Sequence, residues 1–371
     1  MENLKLIKVK GFKSIQDINL ELRSLNVLIG VNGAGKSNLV SFFKMLNEMM
    51  GGRLQHFVAT SGRAQSLLHF GPKITPQVEA TLEFEVDKGT DTYHMRLFYA
   101  SGDTLIFAEE DLSFLGKDWP GSPKLTDLGA GHQETRINDE ADKGDHTAKT
   151  VRYLLNRCRV FHFHDTSVTA RVRQYCYVGD DRWLMPDAGN LAAILYRLRN
   201  KEEGPAYRRI LATIRRIAPF FEDFELEPTG NGDKEIILNW RQKDSDQVFG
   251  PHQLSDGTLR AMSLVTLLLQ PVDDLPHLII VDEPELGLHP AAKTIIAGLF
   301  KKAAHHCQVI VATQSPELLD AFNAEDVVVV ERDAKASSFR RLDEASLKEW
   351  LEEYSLGQLW EKNVLGGGPF S

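Results

Sequence analysis

Gly30-Val31-Asn32-Gly33-Ala34-Gly35-Lys36-Ser37 decides how the chain is read. These residues fit the spacing G-x-x-x-x-G-K-S/T, follow the apolar run Leu25 to Ile29, and open a stretch where Leu39, Phe43 and Leu46 recur at helical spacing. Buried strand, glycine-rich turn and amphipathic helix, in that order, form the context in which such a loop cradles phosphate. Glycines let the backbone wrap closely so that its N–H groups point at phosphate oxygens, and the helix N-terminus adds positive potential. Lys36 is then placed for the β- and γ-phosphates of ATP and Ser37 for Mg²⁺. The bland alternative, a glycine-rich turn with an exposed lysine, does not account for the flanking strand and helix.

Working outward, Leu278 to Val281 reads as a buried strand that delivers Asp282 and Glu283 at its end. Asp282 is suited to hold Mg²⁺ and Glu283 to polarise the water that attacks the γ-phosphate. Taken alone, the pair is a strand ending in an acidic turn; a P-loop upstream makes that reading unattractive. Leu254-Ser255-Asp256-Gly257-Thr258-Leu259-Arg260 opens a helix ahead of the carboxylates, with Ser255 as its cap and Asp256 near its positive end.

The order P-loop, LSDGT and DEPELGLHP resembles the ATP-binding-cassette class of P-loop ATPases, in its RecF, OLD and structural-maintenance-of-chromosomes-like branch. Within that branch it is similar to AAA-type ATPases without a fused nuclease domain, as in bacterial anti-phage defence systems. The likeness includes GFKSI near the N-terminus and covers residues 1–50 and 236–330 well, the middle poorly. It implies an α/β head, a P-loop sheet with an N-terminal antiparallel β subdomain, plus a helical insertion. In that class two heads sandwich ATP. The resemblance therefore places Asn32, Gly33, Ala34, Gly35, Lys36, Ser37 and Asn38 on the nucleotide, Lys13 near its phosphates, and Ser255 and Gly257 on the γ-phosphate of the partner's ATP. Ser37 and Asp282 become metal ligands, and Glu283 and Gln314 catalytic residues. Gln314 stands where relatives carry a switch histidine, and its amide donates but does not titrate. The class's glutamine loop has three candidates, Gln55, Gln65 and Gln77.

The chain's 371 residues form one large or two modest domains at ~100–200 residues each. Hydrophobic residues make up 42% and charged residues 26%, which excludes a collagenous or largely disordered protein. Cys158, Cys176 and Cys307 are far apart, so neither a disulfide framework nor a cysteine zinc site is encoded. No apolar run approaches the ~18 residues of a membrane helix, and a cytoplasmic protein is expected.

Four segments are expected: an N-terminal ATPase lobe (1–110), a Gly-, Asp- and Lys-rich surface excursion (111–150), a helical insertion (151–235), and a C-terminal lobe with signature and Walker B (236–371). Net charge is −9, yet residues 152–216 carry +7 against −16 elsewhere. Those arginines suit nucleic-acid phosphates, a solvated helical face, or an acidic protein. His162 and His164 share one face of an expected strand, either as half a metal site or as a hydrogen-bonded pair. The expected function is an ATP-dependent homodimer that controls DNA engagement or a separate effector, a nuclease or toxin. Alternatives are a nucleotide-gated scaffold with no DNA role and a transporter nucleotide-binding subunit, the latter disfavoured by the large insertion.

Overall fold

The computed structural model describes residues 2–368 apart from 119–120, 202–203, 231, 233 and 334. Strands β1 (Asn3–Phe12) and β2 (Ile15–Glu21) pair antiparallel, with Val9 opposite Ile18, around a turn in which Lys13 adopts a φ of 50°. Every residue of β3 (Leu25–Ile29) is buried, so it enters a sheet covered on both faces. Helix α1 (Lys36–Met50) then buries Leu39, Phe43 and Leu46 as their spacing requires.

The weakly patterned stretch that follows contains two short helices, α2 (Leu54–Thr60) and α3 (Arg63–Leu67). Strands β4 (Gln77–Val86), β5 (Gly89–Ala100), β6 (Thr104–Gly116) and β7 (Lys124–Asp127) complete an antiparallel sheet of order β2-β1-β4-β5-β6-β7. In β4, Val78, Ala80, Leu82, Phe84 and Val86 are buried in strict alternation.

Residues 111–150 are not a surface excursion. Asp111 to Gly116 finishes β6, and α4 (Ile137–Lys143) and α5 (His146–Asn156) pack Ile137, Ala141 and Ala148 into the core shared with β1 and α1. The segment is organised by a polar group. Glu110 is fully buried and accepts from Tyr93 Oη (2.8 Å), Thr135 Oγ1 and the Arg136 backbone N–H (3.0 Å), with His132 Nε2 at 2.8 Å. A satisfied buried carboxylate replaces the apolar contacts that sequence periodicity detects.

The stretch 151–235 is likewise not purely helical. It contains β8 (Cys158–Phe161) and β9 (Cys176–Tyr177) before α6 (Leu191–Asn200) and α7 (Pro205–Ile217), and β10 (Phe221–Glu225) after them. Ile236 and Trp240, four residues apart, fall in different sheets. β11 (Glu235–Ile236) pairs with β9, whereas β12 (Asn239–Gln242) lies between β10 and β13 (Val248–Phe249).

The remainder alternates α8 (Asp256–Leu269), β14 (Leu278–Asp282), α9 (Pro290–Ala303), β15 (Gln308–Thr313), α10 (Pro316–Leu319), β16 (Val327–Arg332) and β17 (Ser337–Arg341). Together with β3 and β8 these strands make a second sheet, β17-β16-β3-β15-β14-β8, parallel except for β17. Side-chain alternation sends Ile279, Val281, Val309 and Val311 into one core, under α6 to α9. Leu278, Ile280, Ile310 and Ala312 enter the other, against α1 and the antiparallel sheet.

Candidate active site

Strand β15 lies between β3 and β14, with Thr313 opposite Ile29 and Ala312 opposite Asp282. The P-loop, the acidic pair and Gln314 therefore leave the sheet side by side at its carboxyl edge, the edge where open α/β sheets bind ligands.

In the P-loop, Gly33 and Gly35 have φ values of 82° and 122°. A Cβ on Gly35 would lie 2.2 Å from Ser337 Oγ, which donates to the Ala34 carbonyl (2.6 Å). Gly35 is the N-cap of α1 and has no side chain to cap it, so the first N–H groups stay available to a ligand. Lys36 is buried and its Nζ donates to Gly30 O (2.5 Å) and Val31 O (3.2 Å). Burial lowers its pKa, opposed by the charges of Asp282, Glu283 and Glu285. Asn32, Gly33 and Ser37 are exposed. Asn38, in contrast, points its amide at Ser14 Oγ (2.5 Å), which lies 2.6 Å from Ser337 Oγ, so it braces the loop. Lys13 Nζ donates to Ser41 Oγ (2.7 Å), one helical turn beyond Ser37; burial and then Lys44 lower its pKa.

Asp282 Oδ1 is buried without a hydrogen-bond partner. Burial raises the Asp282 pKa and Glu283 adds to it, whereas a hydrogen bond from Ser37 and the charges of His164 and Lys36 pull it down. An orphaned carboxylate oxygen beside a serine hydroxyl is an oxygen donor set that fits Mg²⁺. Glu283 has a φ of 46°, and its N–H donates to Ala312 O (2.7 Å). Glu283 Oε1 accepts from Gln314 Nε2 (3.1 Å). Glu285 is 8% exposed; its Oε1 accepts from Thr313 Oγ1 (2.6 Å) and the Gln314 N–H (3.1 Å). Burial raises its pKa despite those bonds. Gln314 is thus held through its backbone by one glutamate and through its amide by another.

Ser255 caps α8 by accepting from the Thr258 N–H (3.2 Å), and it is exposed. A Cβ on Gly257 would lie 2.2 Å from Gly287 O, so the LSDGT turn rests on the loop after β14. Two arginines lock these pieces. Buried Arg173 donates to Thr166 O (2.8 Å), Leu254 O (3.2 Å), Pro251 O and Asp256 Oδ1 (2.8 Å). Arg260 donates to Phe163 O (3.1 Å), His164 O (2.8 Å) and Leu286 O (3.1 Å).

The structure places His162 and His164 beyond the end of β8, not on a strand. His164 Nε2 lies 2.9 Å from Asp282 O. His162 is half-buried, and burial, Lys44 and His164 lower its pKa. Among the described residues, the one cluster of three or more His, Cys, Asp or Glu ligand atoms is His94, Glu109 and Asp111, which does not include this pair. The three glutamines lie in the antiparallel lobe. Gln55 Nε2 donates to Leu105 O and Gln133 O (both 2.8 Å), the Gln65 N–H donates to Asp103 Oδ1 (2.9 Å), and Gln77 sits on β4 beside Arg96 (3.5 Å).

The sequence profile of the family described as "AAA domain, putative AbiEii toxin, Type IV TA system" matches residues 25–320. The chain belongs to that family. This AAA-domain protein is 23% identical over 379 residues to the OLD nuclease of Thermus scotoductus, a match covering 95% of the chain and 67% of that nuclease. It is 30% identical over 133 residues to the energy-coupling factor transporter ATP-binding protein EcfA2 of Lactobacillus delbrueckii, which spans 34% of the chain and 44% of that protein. Its fold is that of solved SMC heads. The Smc head bound to the C-winged helix domain of ScpA gives a TM-score of 0.62 at 15% identity, over 93% of this chain and 99% of that one. The Pyrococcus furiosus Smc head with an extended coiled coil, bound to the C-terminal domain of ScpA, gives 0.62 at 13%, over 95% and 99%. The AAA-domain chain is thus a P-loop ATPase of the SMC, OLD and ABC type.

Motif reading missed Arg260, Arg173 and Lys44 as parts of this family member's site, and gave Glu285 no role of its own beyond the DEPELGLHP motif. Glu285 and Arg260 lie inside motifs already quoted. At Glu285 the signal was a charge that the turn after β14 buries, against the usual preference.

Proposed function

We propose that this P-loop ATPase hydrolyses ATP to ADP and phosphate at a site closed by a second copy, and that closure controls a separate effector, a nuclease or toxin, in bacterial anti-phage defence or DNA repair. The observation that carries hydrolysis is the Glu283 carboxylate, presented from a left-handed backbone and held by Gln314 next to Asp282. In this reading Lys36 exchanges the Gly30 and Val31 carbonyls for the β- and γ-phosphates of ATP. Ser37 and Asp282 would hold Mg²⁺, which would supply neutralisation of phosphate charge. Glu283 takes a proton from the attacking water while the Gln314 amide keeps the carboxylate oriented. Ser255 and Gly257, on the N-terminus of α8, supply donors to the γ-phosphate of the partner's ATP. Lys13 lies nearby as a further cation.

Effector control is favoured over broad DNA contact because several arginines of the basic stretch are committed to ion pairs within the chain. Arg152 pairs with Asp142 (2.7 Å), Arg173 with Asp256 (2.8 Å), Arg197 with Asp274 (2.9 Å) and Arg199 with Glu227 (3.3 Å). Among the described residues no helix is long and apolar enough to cross a membrane, which suits a cytoplasmic role. The test of hydrolysis is Glu283→Gln, expected to keep ATP affinity and lose at least ~100-fold in kcat. Near-normal turnover removes Glu283 as the base. Co-purification of one stoichiometric partner from the native host supports effector control; salt-sensitive DNA binding without such a partner supports the DNA reading.

A further inference from the structure

A cavity of about 350 Å³ opens between α5, β8 and the segment carrying Arg182 and Trp183. It lies at the amino end of β14, four residue rises from Asp282 or roughly 13 Å along the strand. Strand alternation explains its charge: Cys158 and Val160 turn into one core and Phe161 into the other, so Arg159 shares the face of Phe161 at the sheet's margin. Arg157, Arg159 and Arg182 all line the cavity. Asp274, also in the wall, is paired with Arg197 at 2.9 Å.

Two polar atoms in this wall lack partners. Gln270 is 5% exposed; its Nε2 donates to Leu267 O (3.1 Å), and its Oε1 is buried and unpaired. Arg157 donates from its outer nitrogens to Tyr153 Oη (3.3 Å), Asp273 O (3.3 Å) and Leu275 O, leaving Nε–H buried and unpaired. The wall thus offers one acceptor and one donor. Trp183 presents an exposed ring, with the Arg157 and Arg182 guanidinium groups 5.2 and 5.5 Å from its centroid.

We propose that this cavity binds a nucleoside phosphate at a second site, separate from the P-loop. The base stacks against the Trp183 and arginine planes, as bases do on single-strand-binding surfaces. An adenine edge supplies an amino donor to Gln270 Oε1 and a ring-nitrogen acceptor to Arg157 Nε. The phosphate is met by the Arg159 and Arg182 guanidinium groups. An acidic side chain would satisfy those two arginines but leave the Gln270 acceptor without a donor. A free mononucleotide and the terminal nucleotide of a single strand share this chemistry.

The test uses full-length Lys36→Ala protein, so that P-loop binding does not contribute, with Trp183→Phe added in a second sample. Adenosine monophosphate, a 5′-phosphorylated single-stranded tetranucleotide and inorganic phosphate are titrated against tryptophan fluorescence and by calorimetry. The expected result is a saturable fluorescence change that disappears with Trp183→Phe. Affinity should weaken about tenfold with Arg159→Glu or Arg182→Glu, both exposed positions whose folding is checked by melting. A response to the mononucleotide assigns a free nucleotide; a response to the tetranucleotide alone assigns a strand end. No saturable change up to millimolar ligand, or inorganic phosphate binding as tightly as the nucleotides, overturns the proposal and leaves the P-loop reading untouched.

Discussion

Gln314 Nε2 donates to Glu283 Oε1 across 3.1 Å, tying the first residue after β15 to the first residue after β14. Because those strands are neighbours in the sheet, the amide is set by backbone register rather than by a flexible loop. A glutamine here holds the Glu283 carboxylate through an amide that does not titrate.

Replacing Gln314 with alanine should lower kcat by about tenfold while leaving ATP affinity within twofold, since the carboxylate loses its orienting donor but Lys36 and the P-loop are untouched. Gln314→His should restore part of the rate and add a pH limb near ~6.5 that the native enzyme lacks. Steady-state rates from pH 6 to 8.5 decide it; a native profile already showing a limb removed by Gln314→Ala contradicts the assignment.

Ser255 separates two roles by substitution. Ser255→Ala removes the Thr258 cap and should cost about 1 kcal/mol in denaturant unfolding. Ser255→Arg should in addition abolish ATP-dependent dimers of the Glu283→Gln protein, measured by light scattering. Dimers that persist would show that α8 does not face the partner's nucleotide.

At Gly257 the close approach of Gly287 O leaves no room for a methyl group. Gly257→Ala should destabilise the fold by about 1–3 kcal/mol, the range for forced overpacking, visible as a lowered Tm without nucleotide. An unchanged Tm would mean that the two loops separate at no cost.

Asp91 is 3% exposed on β5, and burial, with Glu2 and Asp145 nearby, raises its pKa to about 6. The native state then holds this proton more tightly than the unfolded chain, so stability is greatest below pH ~4 for this group and falls as pH rises to about 6. Asp91→Asn should therefore stabilise at pH 7.5 by ~1–3 kcal/mol and be neutral at pH 4. Urea titrations at both values test the sign.

The phosphate loop, the acidic strand end and the capped helix at Ser255 were legible because each is a local pattern: glycines where φ must be positive, apolar runs where both sheet faces are covered, a hydroxyl where a helix starts. The strict alternation of β4 is likewise a local pattern, of period two. Residues 111–150 were not legible, because their burial hangs on Glu110, which gathers Tyr93 from β5 with His132, Thr135 and Arg136 from the loop before α4.

The sequence by itself determined that a triphosphate loop, a carboxylate pair and a signature turn occur, and in which order. Only the tertiary structure decided that Glu285 holds Gln314, that Arg260 and Arg173 weld the signature to the segment after β8, and that the Asn38 amide braces the loop through Ser14. Those relations join residues on loops and helices that the sheet brings together from far apart in the chain, and no periodicity along the chain encodes which carbonyl a guanidinium will find across such a gap.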